Sequence, residues 1–167
     1  RLDLVETLRG HEQVEVAVLA PRRVGVIEMR VRRALEHHEP VGAELVQRLQ
    51  AAGVAEIEVT SFVSAKWVPQ MADGAAVMAA IERRAGVRYS VLVPNMKGLE
   101  AALPTRPDEV VVFGAASEAF SQRNINCSIE ESIERFRPEV QAARAAGVKV
   151  RAAISCALGS PYQGEVS

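Results

Sequence analysis

From residue 41 onward, short apolar runs alternate with Ala-rich amphipathic runs, and no other feature restricts the fold as strongly. Val41 to Ala52 carries Leu45, Val46 and Leu49 on one helical face, with Gly53 just past its end. A strand follows at Ala55–Thr60. The spacing predicts a helix over Ala72–Arg84, with Val77, Met78 and Ile81 inward, then a strand at Tyr89–Val93 and a two-turn helix at Met96–Leu103. Glu109–Phe113 reads as a strand running into Gly114-Ala115-Ala116-Ser117. Ser128 with Glu131 has capping-box spacing and opens a long helix to Ala146, in which Pro138 predicts a kink or break. Gly147 closes that helix, and Val148–Ile154 is the next strand.

Strands joined by helices through short connections require a mostly parallel sheet, hence an α/β fold. Counting Val14–Leu19 as a first strand gives about five of the eight units of a barrel that typically takes about 250 residues. The expectation is a single domain over 1–167, part of a (β/α)8 barrel with outer helices. Residues 1–40 form a divergent first-strand region and 41–167 the regular βα units. No Gly-x-Gly-x-x-Gly and no P-loop occurs, which argues against a nucleotide fold.

Composition narrows function less. A net charge of −1 gives no bulk attraction to nucleic acid or anionic membrane. No apolar run is long enough to span a bilayer, and the Arg1-Leu2-Asp3 start lacks the apolar core of a signal peptide. The absent initiator Met suggests a fragment or trimmed chain. Cys127 and Cys156 make no disulfide framework, which favours a reducing compartment. The expected location is cytoplasmic, with the mitochondrial matrix as the alternative.

Polar groups at strand carboxyl ends are where α/β proteins build sites. Glu58 lies in the second strand, ahead of Thr60-Ser61-Phe62-Val63-Ser64-Ala65-Lys66-Trp67-Val68-Pro69-Gln70-Met71, which holds the one Trp of the chain. This run, Val93-Pro94-Asn95, Phe113 to Glu118, Asn124 to Ser132 and Ser155-Cys156-Ala157-Leu158-Gly159 recur in order and spacing as in a known family. From Ala51 to Ser167 the chain resembles the hydroxymethylglutaryl-CoA lyases. The Asn124–Ser132 run favours them over the related isopropylmalate and homocitrate synthases.

The resemblance implies a TIM-barrel carbon–carbon lyase that cleaves 3-hydroxy-3-methylglutaryl-CoA to acetyl-CoA and acetoacetate with Mg2+ or Mn2+. By that match Arg22 is the catalytic Arg that stabilises the enolate, and Glu58 supports the hydrogen-bond network beside it. Asn124, Ser128 and Arg151 match positions at the substrate, and the amino end of the helix after Ser128 offers N–H groups to the CoA moiety. Two departures weaken the site. Arg23 stands where the family has a metal-binding Asp, and a guanidinium has no acceptor. Ala153 stands where the family has a substrate-contacting Tyr. No metal ligand is assigned, and the family's His-x-His and catalytic Cys have no counterpart. The chain alone is expected to be inactive. The partners implied are an acyl-CoA substrate and either a homo-oligomer or the missing C-terminal half, with no nucleic acid and no membrane.

Other residues have plainer readings. Cys127 and Cys156 are expected as small buried hydrophobes, Trp67 as a packing anchor of its loop. Adjacent histidines in Glu36-His37-His38-Glu39 diverge, so a solvated segment is favoured over a metal cluster. The basic run Arg22, Arg23, Arg30, Arg32 and Arg33 reads as solvated rather than phosphate-binding. Two further readings stand beside the lyase: a non-catalytic barrel remnant binding acyl-CoA or a partner protein, and a shifted reading frame between about Ala20 and Pro40.

Overall fold

The computed structural model describes residues 17–19, 26–28 and 41–165. Strands β1 (Ala17–Leu19) and β2 (Val26–Glu28) pair antiparallel, with Val18 opposite Ile27. Of the expected first strand, Val14–Leu19, residues 17–19 are among those described, and they pair in a two-stranded ladder rather than in the parallel series. The six intervening residues, 20–25, explain the direction, because a parallel return needs a crossover of about a dozen or more. Arg22, Arg23, His11, His37, His38 and the rest of the basic run lie outside the described residues.

The larger sheet has strand order β3-β4-β5-β6, and packing divides the chain into two compact units between Val91 and Leu92. The first unit contains α1 (Val41–Ala51), β3 (Glu56–Ser61), α2 (Gly74–Ala80) and most of β4 (Arg88–Leu92). Helix α1 buries Ala43, Val46 and Leu49 and leaves Leu45 half-buried, so the anticipated face is the one packed. It ends in a Schellman closure: Val54 N–H donates to the Leu49 carbonyl and Gly53 N–H to that of Gln50, with Gly53 at φ +82°. At the start of α2 a Cβ on Gly74 would come within 2.7 Å of Thr60 Oγ1, so only glycine allows this helix so close to β3.

Helix α2 stops at Ala80, one turn before the expected Arg84. Ile81 turns extended at φ −70°, ψ 134°, and side chains take over the backbone groups a longer helix would have used. Gln50 Nε2 donates to the Glu82 carbonyl at 3.1 Å and to Tyr89 Oη at 2.9 Å, while Arg84 N–H donates to the same Oη at 2.8 Å. Tyr89 is 1% exposed, so this node is a buried polar stop for the helix.

The second unit contains α3 (Met96–Ala102), β5 (Glu109–Ala115), α4 (Glu118–Ile125), α5 (Ile129–Ala145) and β6 (Lys149–Ser155). Asn95 caps α3 by accepting from Gly98 N–H. Strands β5 and β6 run parallel in register from Glu109 opposite Lys149 to Ala115 opposite Ser155. Helix α5 begins with the expected capping box: Ser128 Oγ accepts from Glu131 N–H, and Glu131 Oε2 accepts from Ser128 N–H. Pro138 does not end it. Pro138 and Glu134, whose carbonyl loses its i+4 donor, are both exposed, so water can satisfy that oxygen. Val148 and Gly147 close α5 as Val54 and Gly53 close α1. The same Ala-Gly-Val triplet precedes β3, β4 and β6, with Gly53, Gly86 and Gly147 at φ +82°, +83° and +74°.

Candidate functional site

The side chains singled out by sequence divide between the two units. In the first, Glu58 is half-buried within β3, between buried Ile57 and Val59. Beyond the strand, Trp67 and Val68 donate backbone N–H groups to the Ser64 carbonyl at 2.9 and 3.0 Å, and Met71 N–H donates to Val68. This turn is well tied by its backbone, yet Trp67 is 82% exposed. The expectation of a packing anchor is wrong. Backbone hydrogen bonds and the Pro69–Met71 3-10 turn hold the loop without the indole.

In the second unit Arg151 is the third residue of β6, and its Nε donates to Glu109 Oε2 at 2.8 Å. Glu109, which starts β5, is only 6% exposed. Parallel register puts Val111 opposite Arg151, so the pair bridges diagonally between strands at the amino-terminal end of β5. In the first unit Arg88 and Glu56 make a similar link at 2.8 Å between the starts of β4 and β3. Ala153, in the position noted above, is half-buried opposite Phe113, whose ring meets Phe136 edge-on at 5.4 Å.

Asn124 and Ser128 lie four residues apart at the junction of α4 and α5. Asn124 is exposed in the last turn of α4, not in a loop as expected. The sequence reading missed this helix because its buried content is a single residue, Ser121, so no apolar stripe marks it. Ser117 followed by Glu118, a cap residue and an acid in the first turn, is the signal that was available. Ser128 caps α5, and its neighbour Ile129 donates N–H to Glu118 Oε1 and Oε2 at 3.3 and 3.2 Å. The amino end of α5 is therefore already served by two carboxylates, those of Glu118 and Glu131.

The cysteines differ. Cys127 is 1% exposed, a buried small residue as expected, and its carbonyl accepts from Ser121 Oγ at 2.8 Å. Cys156 is half-buried at φ +60°, immediately beyond β6, so the same reading does not carry over to it. A polar cluster that sequence reasoning passed over lies close by. Ser117, fully buried, sits 2.8 Å from Ser160 Oγ and 2.9 Å from Gln163 Oε1. Among the described residues no group of three His, Cys, Asp or Glu side chains could hold a metal ion. The clearest electrostatic perturbation lies away from all of these residues. The Arg137 guanidinium hydrogen-bonds the Glu134 carboxylate and lowers its pKa, and both groups are on the surface.

The fold is α/β, with polar side chains gathered beyond the ends of its strands, and it defines a part of a (β/α)8 barrel as expected. Residues 37–164 match the HMGL-like family model, and the chain belongs to that family. It is similar to the mitochondrial hydroxymethylglutaryl-CoA lyase of Rattus norvegicus, with 51% identity over 100% of this chain and 53% of the relative. A 3-hydroxy-3-isohexenylglutaryl-CoA/hydroxy-methylglutaryl-CoA lyase of Pseudomonas aeruginosa is 54% identical over 87% of this chain and 50% of the relative. The crystal structure of a hydroxymethylglutaryl-CoA lyase from Pseudomonas aeruginosa superposes with a TM-score of 0.73 at 57% identity, covering 78% of this chain and 45% of that one. The chain spans about half the length of the curated relatives it matches.

Proposed function

We propose that the protein this chain represents is a carbon–carbon lyase that cleaves 3-hydroxy-3-methylglutaryl-CoA to acetyl-CoA and acetoacetate. The observation that carries this reading is the family match over residues 37–164. The reaction needs a base to take the proton of the tertiary hydroxyl, and a cation beside the enolate oxygen formed as the C–C bond breaks. Arg22 is the proposed cation and Glu58 the carboxylate that orients the polar network near it. In the family a divalent Mg2+ or Mn2+ gathers the substrate oxygens. Arg23 cannot serve as a ligand to it, because a guanidinium offers no acceptor.

For CoA, the observed neighbours favour Asn124 over Ser128. Asn124 is exposed, whereas the Ser128 hydroxyl is committed to its cap and a phosphate there would meet Glu118 and Glu131. Arg151 is already held to Glu109 through Nε, so a substrate would share its guanidinium with that carboxylate. The proposed setting is a reducing compartment, cytoplasm or mitochondrial matrix, consistent with two free cysteines. Protein partners, either a second copy or the remaining half of the barrel, belong to the same proposal.

The test is acetoacetate release from 3-hydroxy-3-methylglutaryl-CoA with added Mg2+ or Mn2+. The chain alone is expected to be inactive. Mixing it with the C-terminal half of the Pseudomonas aeruginosa relative is expected to give turnover. Turnover by the chain alone would overturn the inactivity, and none from the mixture would overturn the lyase assignment for this sequence. Metal-independent CoA binding by calorimetry, without turnover in the mixture, would favour the binding remnant instead. Reading the coding DNA in the other two frames tests whether Asp-Gly-Leu-Gln-Asn lies hidden between Ala20 and Pro40.

A further inference from the structure

We propose that the turn Ser160–Gly164 is a latch, closed on α4 by Ser117 and Tyr162, which holds the segment leaving β6 and keeps Cys156 in its left-handed conformation. The turn is self-contained: Ser160 N–H donates to the Gly164 carbonyl at 2.7 Å and Gly164 N–H to the Ser160 carbonyl at 2.9 Å. Gly164 sits at φ +81°, which suits glycine.

Its attachment is polar on one side and aromatic on the other. Ser117 Oγ has one proton and three neighbours: Phe120 N–H at 3.2 Å, Ser160 Oγ at 2.8 Å and Gln163 Oε1 at 2.9 Å. Gln163 Oε1 only accepts, so the Ser117 proton goes to it. Ser160 must then donate its own proton to Ser117, while its oxygen accepts from Tyr162 N–H at 3.3 Å. One proton arrangement thus satisfies every group, in a site where Ser117 is 0% and Ser160 8% exposed. On the aromatic side, Tyr162 stacks on Phe120 with ring centroids 6.1 Å apart, and the Arg123 guanidinium lies 4.2 Å from the Tyr162 centroid. Ser117, Phe120 and Arg123 are spaced three residues apart and share one face of α4. That face is what the helix has in place of an apolar stripe.

The segment being held has little else to fix it. Between Ser155 and Ser160, the one backbone hydrogen bond among the described residues is a long 3.4 Å contact from Gly159 N–H to the Cys156 carbonyl. Leu158 is 99% exposed. A non-glycine residue in the left-handed region is strained, and Cys156 stays there at φ +60° because the chain beyond it is tied down. Releasing the turn lets Cys156 relax and changes access to its half-buried thiol.

The experiment is alkylation of the full chain with iodoacetamide, read by mass spectrometry at each cysteine, together with amide hydrogen exchange at Ser160 and Gly164. Gln163→Leu and Tyr162→Leu both break the latch without touching the cap of α4; Ser117→Ala breaks it and the cap together. All three are expected to speed Cys156 alkylation and the two amides by about tenfold, with Cys127 unchanged because it is buried elsewhere in the unit. The proposal is overturned if Gln163→Leu and Tyr162→Leu leave Cys156 and both amides at wild-type rates. It is also overturned if Cys127 accelerates in step with Cys156, since that would be global loosening.

Discussion

Strands β5 and β6 are each seven residues long, lie side by side in full parallel register, and occupy opposite environments. In β5, Glu109 through Val112 are all buried. In β6 no residue is buried, and Ile154 is 57% exposed. The ladder of backbone hydrogen bonds is shared, so it does not decide which strand forms core. Covering does: Glu-Val-Val-Val is the near-continuous apolar run of a strand buried on both faces, whereas Lys-Val-Arg-Ala-Ala-Ile-Ser belongs to the last strand in the order. The side-chain link from Arg151 to Glu109 ties the open strand to the buried one.

Breaking that link should have the largest effect. Arg151→Ala strips the Glu109 carboxylate of this cation inside the unit and is expected to cost about 3 kcal/mol in denaturant unfolding. A role confined to substrate would leave stability unchanged, so the same variant separates the two uses of Arg151. Val111→Ala in β5, at a residue with 0% exposure, should cost about 2 kcal/mol from lost methyl burial and the cavity left behind. Glu139 on α5, the helix that packs on both strands, is 5% exposed with Oε2 lacking a hydrogen-bond partner. Glu139→Leu should therefore raise stability, by about 1 kcal/mol, in the same measurement. Ile154→Ala in β6 should stay within about 0.5 kcal/mol of wild type; a cost as large as that of Val111→Ala would sink the contrast between the strands.

The smallest effect is electrostatic. Hydrogen bonding and charge from Arg137 hold the Glu134 pKa below 4.5 in the folded chain. A depressed carboxylate pKa contributes stability above its unfolded value and loses it as pH falls through the folded one, so the window lies at and below pH 4.5. Full exposure makes that contribution too weak to find by unfolding. The check is an NMR titration of Glu134, which should move back up toward 4.5 in Arg137→Ala.

The regular series from Val41 was readable because each junction is local. A periodic helix, a glycine in the left-handed region and a valine entering the strand leave the same signature at Gly53 and Gly147. The early end of α2 was not readable, since it depends on Gln50, thirty-two residues before the Glu82 carbonyl that it holds. Helix α4 escaped notice because the residue it buries is Ser121, so no aliphatic stripe marks it. For the candidate site, sequence supplied the residue types by resemblance but not their occupancy. That Arg151 is held by Glu109, and that Glu118 fills the N–H of Ile129, are facts of register and helix pairing. Neither leaves a periodic trace. Arg22 lies outside the described residues.

Trp67 gives the chain an optical property of practical weight. It is the one tryptophan, and at 82% exposure its indole already emits from a nearly aqueous setting in the folded state. Denaturation therefore has little polarity change to report, and a flat fluorescence trace would be compatible with complete unfolding. Circular dichroism or proteolysis must follow stability instead. The same indole is a sensitive lamp for anything that covers the Ser64–Met71 turn: a blue shift would mark the arrival of a partner, and quenching or its relief would time it.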